Sequence, residues 1–253
     1  ATFLPQVVVE SLLAALQHAD LEMTALTLEP IAAIHVLVPP SMRKLNIALV
    51  DIGAGTSDIA IADNGTITAY GMVPLAGDEV TDALSQEYLV DFPIAEKAKR
   101  QLSHQETVEI EDILGFNQIF PVADVCTQIE PMINHIAESI AKEIMRLNRG
   151  EAPKAVILVG GGSLTPNLSV MLSKALGLPE MRVGIRGLEA LSGVTVSKDL
   201  GQSPELVTPI GIAIAAKNAP LYYMTVTVNK KRVRLFELKE MTVGDALIAS
   251  NFS

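Results

Sequence analysis

Cysteine is nearly missing from this chain, with Cys126 the only one. That excludes an intrachain disulfide and any cysteine-built metal cluster, and it suits a reducing compartment. Histidine offers no ligand set either: His18, His35, His104 and His135 are scattered, and His135 falls in the helical repeat Val125, Ile129, Met132, Ile136, Ile140, where a structural role is expected. Basic residues are short, 19 Lys and Arg against 29 Asp and Glu, for a net charge of −10. This balance disfavours general nucleic-acid binding, which needs cations to displace counterions from phosphates. No apolar run approaches the roughly 18 residues that cross a bilayer, and no charged-then-apolar leader opens the sequence. No transmembrane segment is expected, and the chain is expected to be soluble and cytoplasmic. Ser41-Met42-Arg43-Lys44 matches the S-x-x-K of penicillin-binding proteins, but it follows Pro39-Pro40 and lacks the companion motifs, so it carries no weight.

What the sequence does have is a hydrophobic share of 49% over 253 residues, enough for a substantial α/β core with near-continuous apolar strands such as Ala155 to Val159. Its most informative stretch is Val50-Asp51-Ile52-Gly53-Ala54-Gly55-Thr56-Ser57-Asp58-Ile59-Ala60-Ile61. A glycine turn joins two short apolar runs, with a carboxylate at each end. Glycines let backbone N–H groups approach phosphate oxygens, Asp51 or Asp58 can hold a hydrated Mg2+, and Thr56 can hydrogen-bond a terminal phosphate. Asn64-Gly65 then separates Ile59–Ala62 from Thr66–Val73, a strong hairpin signal because both central residues of a type I′ turn need φ > 0. The glycine loop therefore lies between antiparallel strands, whereas a Walker loop or dinucleotide fingerprint opens a helix. An ordinary tight hairpin without a ligand is the alternative.

Glycine turn and flanking strands together resemble the phosphate motif of the actin-like ATPase superfamily, and further segments carry the resemblance in order. Leu28-Glu29-Pro30-Ile31-Ala32-Ala33 is similar to the segment that places a carboxylate near the attacking water, with Glu29 as the match. Gly77-Asp78 resembles the second-domain turn beside the sugar and phosphates. Ala95 to Ser103 is similar to the adenine-facing helix and implicates Glu96, Lys99, Arg100 and Ser103. Val156 to Pro166 resembles the adenosine motif, a buried strand running into Gly160-Gly161-Gly162 and a helix. Taken singly, Glu29 reads as a strand-end carboxylate in water, residues 96–103 as a solvated amphipathic face over Ala95, Ala98 and Leu102, and the glycines as a strand-to-helix turn. In that last reading Thr165 is the N-cap and Pro166 the first helical residue.

Within the superfamily the wording from Val8 to Lys99 is closest to FtsA and PilM-type cell-division and pilus-assembly proteins. The resemblance implies a ribonuclease H-like α/β fold, an ATP and Mg2+ site, self-association, and a division or pilus partner that can hold the protein at the inner membrane. It implies catalytic roles for Glu29 and Asp51, metal contacts from Asp51 and Asp58, and nucleotide contacts from Gly53, Gly55, Thr56, Ser57, Gly77, Glu96, Lys99, Arg100, Ser103, Gly160, Gly161 and Gly162. A DnaK-type chaperone or reactivating factor, a sugar kinase and an exopolyphosphatase are the alternatives on the same fold.

The expected organisation is part of a first domain over 1–44 and a second domain over 45–205, with a smaller subdomain at 79–120. A closing helix follows at 206–219, then a hairpin and helix over 220–253 that resemble the start of a β-grasp domain. No first phosphate loop precedes Glu29, so the expectation is a fragment with one cleft wall missing and little hydrolysis alone. Basic residues Lys230, Lys231, Arg232 and Arg234 read as a solvated hairpin edge. Pro131 is expected to kink or break a helix spanning about 123–147, and Glu106 to Asp112 to form an acidic surface segment.

Overall fold

The computed structural model describes residues 6–21, 23, 28–39, 42–112, 114–191, 195, 203–218, 223–228, 231–236 and 242–244. By their contacts they fall into two units, residues 29–212 and residues 1–28 with 213–253. Residues 29–44, expected in the first domain, make their contacts within the larger unit.

The larger unit is organised by β1 (Ile47–Ile52), whose six residues are all buried. Around it run β2 (Ser57–Asp63), β3 (Thr66–Val73), β6 (Ala155–Val159) and β7 (Val183–Ile185), in the order β3-β2-β1-β6-β7. The β3-β2-β1 half is antiparallel and the β1-β6-β7 half parallel. A strand in that central place is covered on both faces, which is why Ile-Ala-Leu-Val-Asp-Ile barely alternates. The turn after β2 is the one expected: Asn64 and Gly65 have φ of 51° and 85°.

Side chains alternate across a strand, and here the parity sorts chemistry. Ala48, Val50 and Ile52 of β1 and Ile59 and Ile61 of β2 join the main apolar core with Ile129, Ile133, Ile136, Ile140 and Ile144 of α5 (Val122–Leu147). The opposite face of β1 and β2 meets α2 (Glu29–Leu37). Asp51 and Asp58 are directly paired across the strands and share that second face.

α5 is one uninterrupted helix of 26 residues, so the expected break at Pro131 is not there. A proline costs a helix about 3 kcal/mol, but Pro131 is exposed, and the packing of its buried neighbours Ile129 and Ile133 offsets that cost. His135 is exposed on this helix, outside the apolar stripe, and the expected structural role fails. The small subdomain comprises α3 (Gly77–Tyr88), α4 (Phe92–Gln101) and the antiparallel pair β4 (Thr107–Glu111) and β5 (Asn117–Pro121). β4 buries Val108 and Ile110 and exposes Glu109 and Glu111, so the acidic segment is a strand with its carboxylates outside.

After β6 the chain makes a 3-10 turn over Gly161–Leu164, and α6 (Leu168–Leu176) starts only after Asn167 in a left-handed conformation. Thr165 and Pro166 therefore do not start the helix. α7 begins at Val207, and Gly211 lets its backbone approach the carbonyl of Ala32 in α2, where an added Cβ would sit 2.8 Å from that oxygen.

The other unit holds α1 (Gln6–His18) and the antiparallel pair β8 (Tyr223–Val228) and β9 (Lys231–Phe236). Most of the helix expected to follow the hairpin lies outside the described residues.

Candidate functional site

At the carboxyl end of β1 the chain leaves the sheet at Gly53, whose N–H donates to the carbonyl of Thr56 and closes the loop. The carbonyls of Gly53 and Ala54 accept from the N–H groups of Gly77 and Asp78, at 3.1 and 2.8 Å, docking the start of α3 against the loop. Glu79 completes that turn by accepting from the Ala76 N–H at 2.6 Å. From the other side come Gly161 and Gly162. A Cβ on Gly162 would lie 2.5 Å from Cγ2 of Ile52 and 2.8 Å from the carbonyl of Gly53. Gly160, at φ 81°, sits against the Asp51 carboxylate and the Ile52 carbonyl with no room for a side chain.

Between these three backbone segments and α4 lies a cleft of about 480 Å³. Its walls include Gly53, Gly77, Glu96, Lys99, Arg100, Ser103, Gly161 and Gly162, and also Ala54, Asp78, His104, Thr165, Ser203 and Glu205. The cleft brings eight of the residues singled out in the sequence onto one surface, and its size falls in the range of about 300–1,000 Å³ usual for cofactor pockets. α4 is aimed by its own start chemistry, Asp91 accepting from the Ile94 N–H at 3.0 Å with Pro93 in the first turn. Ala95 and Ala98 face inward, which turns the polar residues of the helix toward the cleft.

Those polar residues form a network. The Lys99 ammonium donates to Glu96 at 2.6 Å, to the Thr81 hydroxyl at 2.7 Å and to the Gly77 carbonyl at 2.9 Å, while Arg100 pairs with the other Glu96 oxygen at 2.9 Å. Burial alone would raise the Glu96 carboxyl, but hydrogen bonds from Lys99, Thr81 and Arg100 hold it below its usual value. Lys99 thereby ties α4 to the first turn of α3 beside the glycine loop.

The remaining candidates are not among the residues that line this cleft. Asp51 is 7% exposed, its carboxylate accepting from Thr208 at the start of α7. Asp58 accepts from Tyr70 of β3 and, at 3.1 Å, from Thr56. Burial, then the charges of Asp51 and Asp58, push the Glu29 carboxyl up; burial, and to a smaller degree Asp58, push Asp51 up against the lowering hydrogen bond from Thr208. Tyr70 is raised by burial and by its bond to Asp58. Glu29, Asp51 and Asp58 thus repel one another at the strand ends, an arrangement that costs stability and that a cation relieves. Among the described residues no three such groups converge to ligate one ion by themselves.

Gly55 and Thr56 form the exposed tip of the loop. Ser57 is fully buried, its hydroxyl donating to the Leu75 carbonyl, and strand parity places it on the face opposite Asp58. Tyr70, Thr81 and Thr208 were missed by sequence reasoning. Nothing in the sequence links Thr208 to Asp51, 157 residues away. Among the described residues no helix is long and apolar enough to cross a membrane.

The family model for the cell division protein FtsA matches residues 48–211, which span every segment of this cleft. Among curated proteins the chain is similar to the cell division protein FtsA of Bacillus subtilis, 26% identical over 201 residues covering 74% of this chain and 46% of that protein. It is also similar to FtsA of Escherichia coli K12, 23% identical over 232 residues covering 84% and 53%. The chain therefore spans about half the length of these curated relatives. Among solved structures, the PilM-PilN type IV pilus biogenesis complex matches with a TM-score of 0.65 at 20% identity, covering 81% of this chain and 56% of that one. MreB5 of Spiroplasma citri bound to ADP matches with a TM-score of 0.62 at 17% identity, covering 85% and 67%. The fold is that of the actin-like ATPases, and by the extent of the family match the chain belongs to the FtsA cell-division protein family.

Proposed function

We propose that this chain is the nucleotide-gripping half of an actin-family scaffold of cell division or pilus assembly, in which ATP and Mg2+ control self-assembly. The observation that carries the reading is the meeting of three bare backbone segments, at Gly53, Gly77 and Gly161-Gly162, around one cleft that α4 lines with Glu96, Lys99, Arg100 and Ser103. Backbone without side chains suits phosphates, and a charged, hydrogen-bonding helix face suits a base and ribose. Bound ATP supplies a terminal phosphoanhydride, and Mg2+ neutralises its charge.

The chain's own residues divide the work. Asp51 and Asp58 hold the hydrated cation from the strand ends, Thr208 and Tyr70 fix the orientation of those carboxylates, and Glu29 faces the same space from the start of α2. Lys99 holds the α3 turn against the loop so that both phosphate-side segments move as one. In the parent protein a ligand gripped from both halves favours closure by its differential affinity, and closure is what a self-assembling partner reads. The same reading puts the parent protein in the cytoplasm, at the inner membrane through its partner.

Calorimetric titration with ATP tests the reading. Saturable binding that strengthens with Mg2+ and disappears in Gly162→Ala supports it. Equal binding by that variant overturns it. For assembly, light scattering and electron microscopy of the longer protein should show filaments with ATP, and ATP-independent monomers would contradict the scaffold role.

A further inference from the structure

The small subdomain carries a sheet edge that nothing in the nucleotide site uses. Its two strands are phased by hydrogen bonds from Asp112 N–H to the Phe116 carbonyl and from Val122 N–H to the Glu106 carbonyl, at either end of the ladder. Even-numbered residues of β5 therefore face β4, and the N–H and C=O groups of Asn117 and Ile119 face outward. The other edge of this little sheet is already closed. The Gln101 side chain accepts from the Glu109 N–H at 2.9 Å and donates to the Glu109 carbonyl at 3.2 Å, in the place of a missing strand. Among the described residues nothing hydrogen-bonds the corresponding groups of β5. Apolar side chains crowd that edge, with Leu114, Phe116 and Ile119 exposed by 76, 66 and 69%.

Charge indicates what fits there. From Gln101 to Pro121 the sequence has Glu106, Glu109, Glu111 and Asp112 but no lysine or arginine. An extended segment that alternates basic and apolar residues complements such an edge, and this chain contains one: β9 reads Lys231-Arg232-Val233-Arg234-Leu235-Phe236 and follows Lys230.

We propose that β5 is a docking edge for the basic strand β9 of a second copy of the chain, adding it antiparallel so that the order becomes β4-β5-β9-β8. Main-chain bonds to Asn117 and Ile119 supply the register, and the basic sequence of β9 complements the acidic segment from Glu106 to Asp112. The contact joins one end of a molecule to a different surface of the next, so it is heterologous and propagates. This deepens the self-assembly part of the reading above. A test without nucleotide keeps the two separable, since ATP binding can fail with association intact and the reverse.

Sedimentation velocity of the full chain at low salt should show concentration-dependent association that weakens as salt is added. Ile119→Pro removes the outward N–H while remaining compatible with an edge strand, and should weaken association by at least about tenfold; Ile119→Val should not. Glu109→Lys with Glu111→Lys, and separately Arg232→Glu with Arg234→Glu, should each abolish self-association. Mixing the two charge-reversed variants should restore association of alternating copies, since each variant's edge then faces a strand of opposite charge. Unchanged melting temperatures verify folding, since Glu109 and Glu111 are exposed. Association that survives Ile119→Pro, a chain that stays monomeric at every concentration, or reversed variants that fail to pair on mixing overturn the proposal.

Discussion

β1 and β2 present two faces built from neighbouring residues with opposite tasks. On one face Val50, Ile52, Ile59 and Ile61 disappear into the core beneath α5. On the other, one residue along each strand, Asp51 and Asp58 stand opposite each other with Glu29 close enough to raise its own carboxyl against them. The first face is stable as it stands. The second brings carboxylates together, a repulsion that protonation or a cation relieves, and strand parity keeps the two faces separate within a single pair of strands.

The largest break in this comparison comes from the apolar face. Ile59→Ala leaves a cavity beneath α5 and should cost about 2–5 kcal/mol in denaturant unfolding, while nucleotide affinity of the folded protein stays unchanged. Next comes the point where the faces meet the glycine turn. Gly160→Ala puts a side chain against the Ile52 carbonyl at a positive φ, and should cost about 1–3 kcal/mol and also reduce ATP affinity in a binding titration.

A comparable but more selective loss is expected for Thr208→Val, which leaves an Asp51 oxygen buried without its donor, at about 1–3 kcal/mol; Thr208→Ser should restore most of it. The smallest effect sharpens the contrast through pH. Because the Glu29 and Asp51 carboxyls are raised from 4.5 and 3.8, the folded chain keeps protons that the unfolded chain releases. Their contribution to stability therefore falls as pH climbs above that range and levels off once both are ionised. Thermal melts of Asp51→Asn should show a flatter loss over the same interval, and Mg2+ should offset the loss only in the unsubstituted chain.

Much of the site was legible because its signals are local. The Asn64-Gly65 turn marked the β2-β3 hairpin, and the short glycine loop from Gly53 to Thr56 closes β1 onto β2 so that Asp51 stands opposite Asp58. Gly160 and Gly162 were singled out as nucleotide contacts, and their packing against β1 shows a second reason for glycine there. The burial of the Ser57 side chain was also legible, since adjacent strand residues face opposite ways and its neighbour Asp58 was already placed on the polar face. Thr208 and Tyr70 were not legible: each finds its carboxylate through tertiary packing that no spacing encodes. The break allowed for at Pro131 and the helix start read at Thr165-Pro166 are absent for a related reason. Buried neighbours carried α5 through its proline, and a left-handed Asn167 moved the start of α6 to Leu168.

The most direct test is a crystal structure of the chain grown with ATP and Mg2+. The account predicts the purine between α4 and Gly161-Gly162, the phosphates against the loop from Gly53 to Thr56, and the cation beside Asp51 and Asp58. Nucleotide bound elsewhere, or an empty cleft at millimolar ATP, would contradict it.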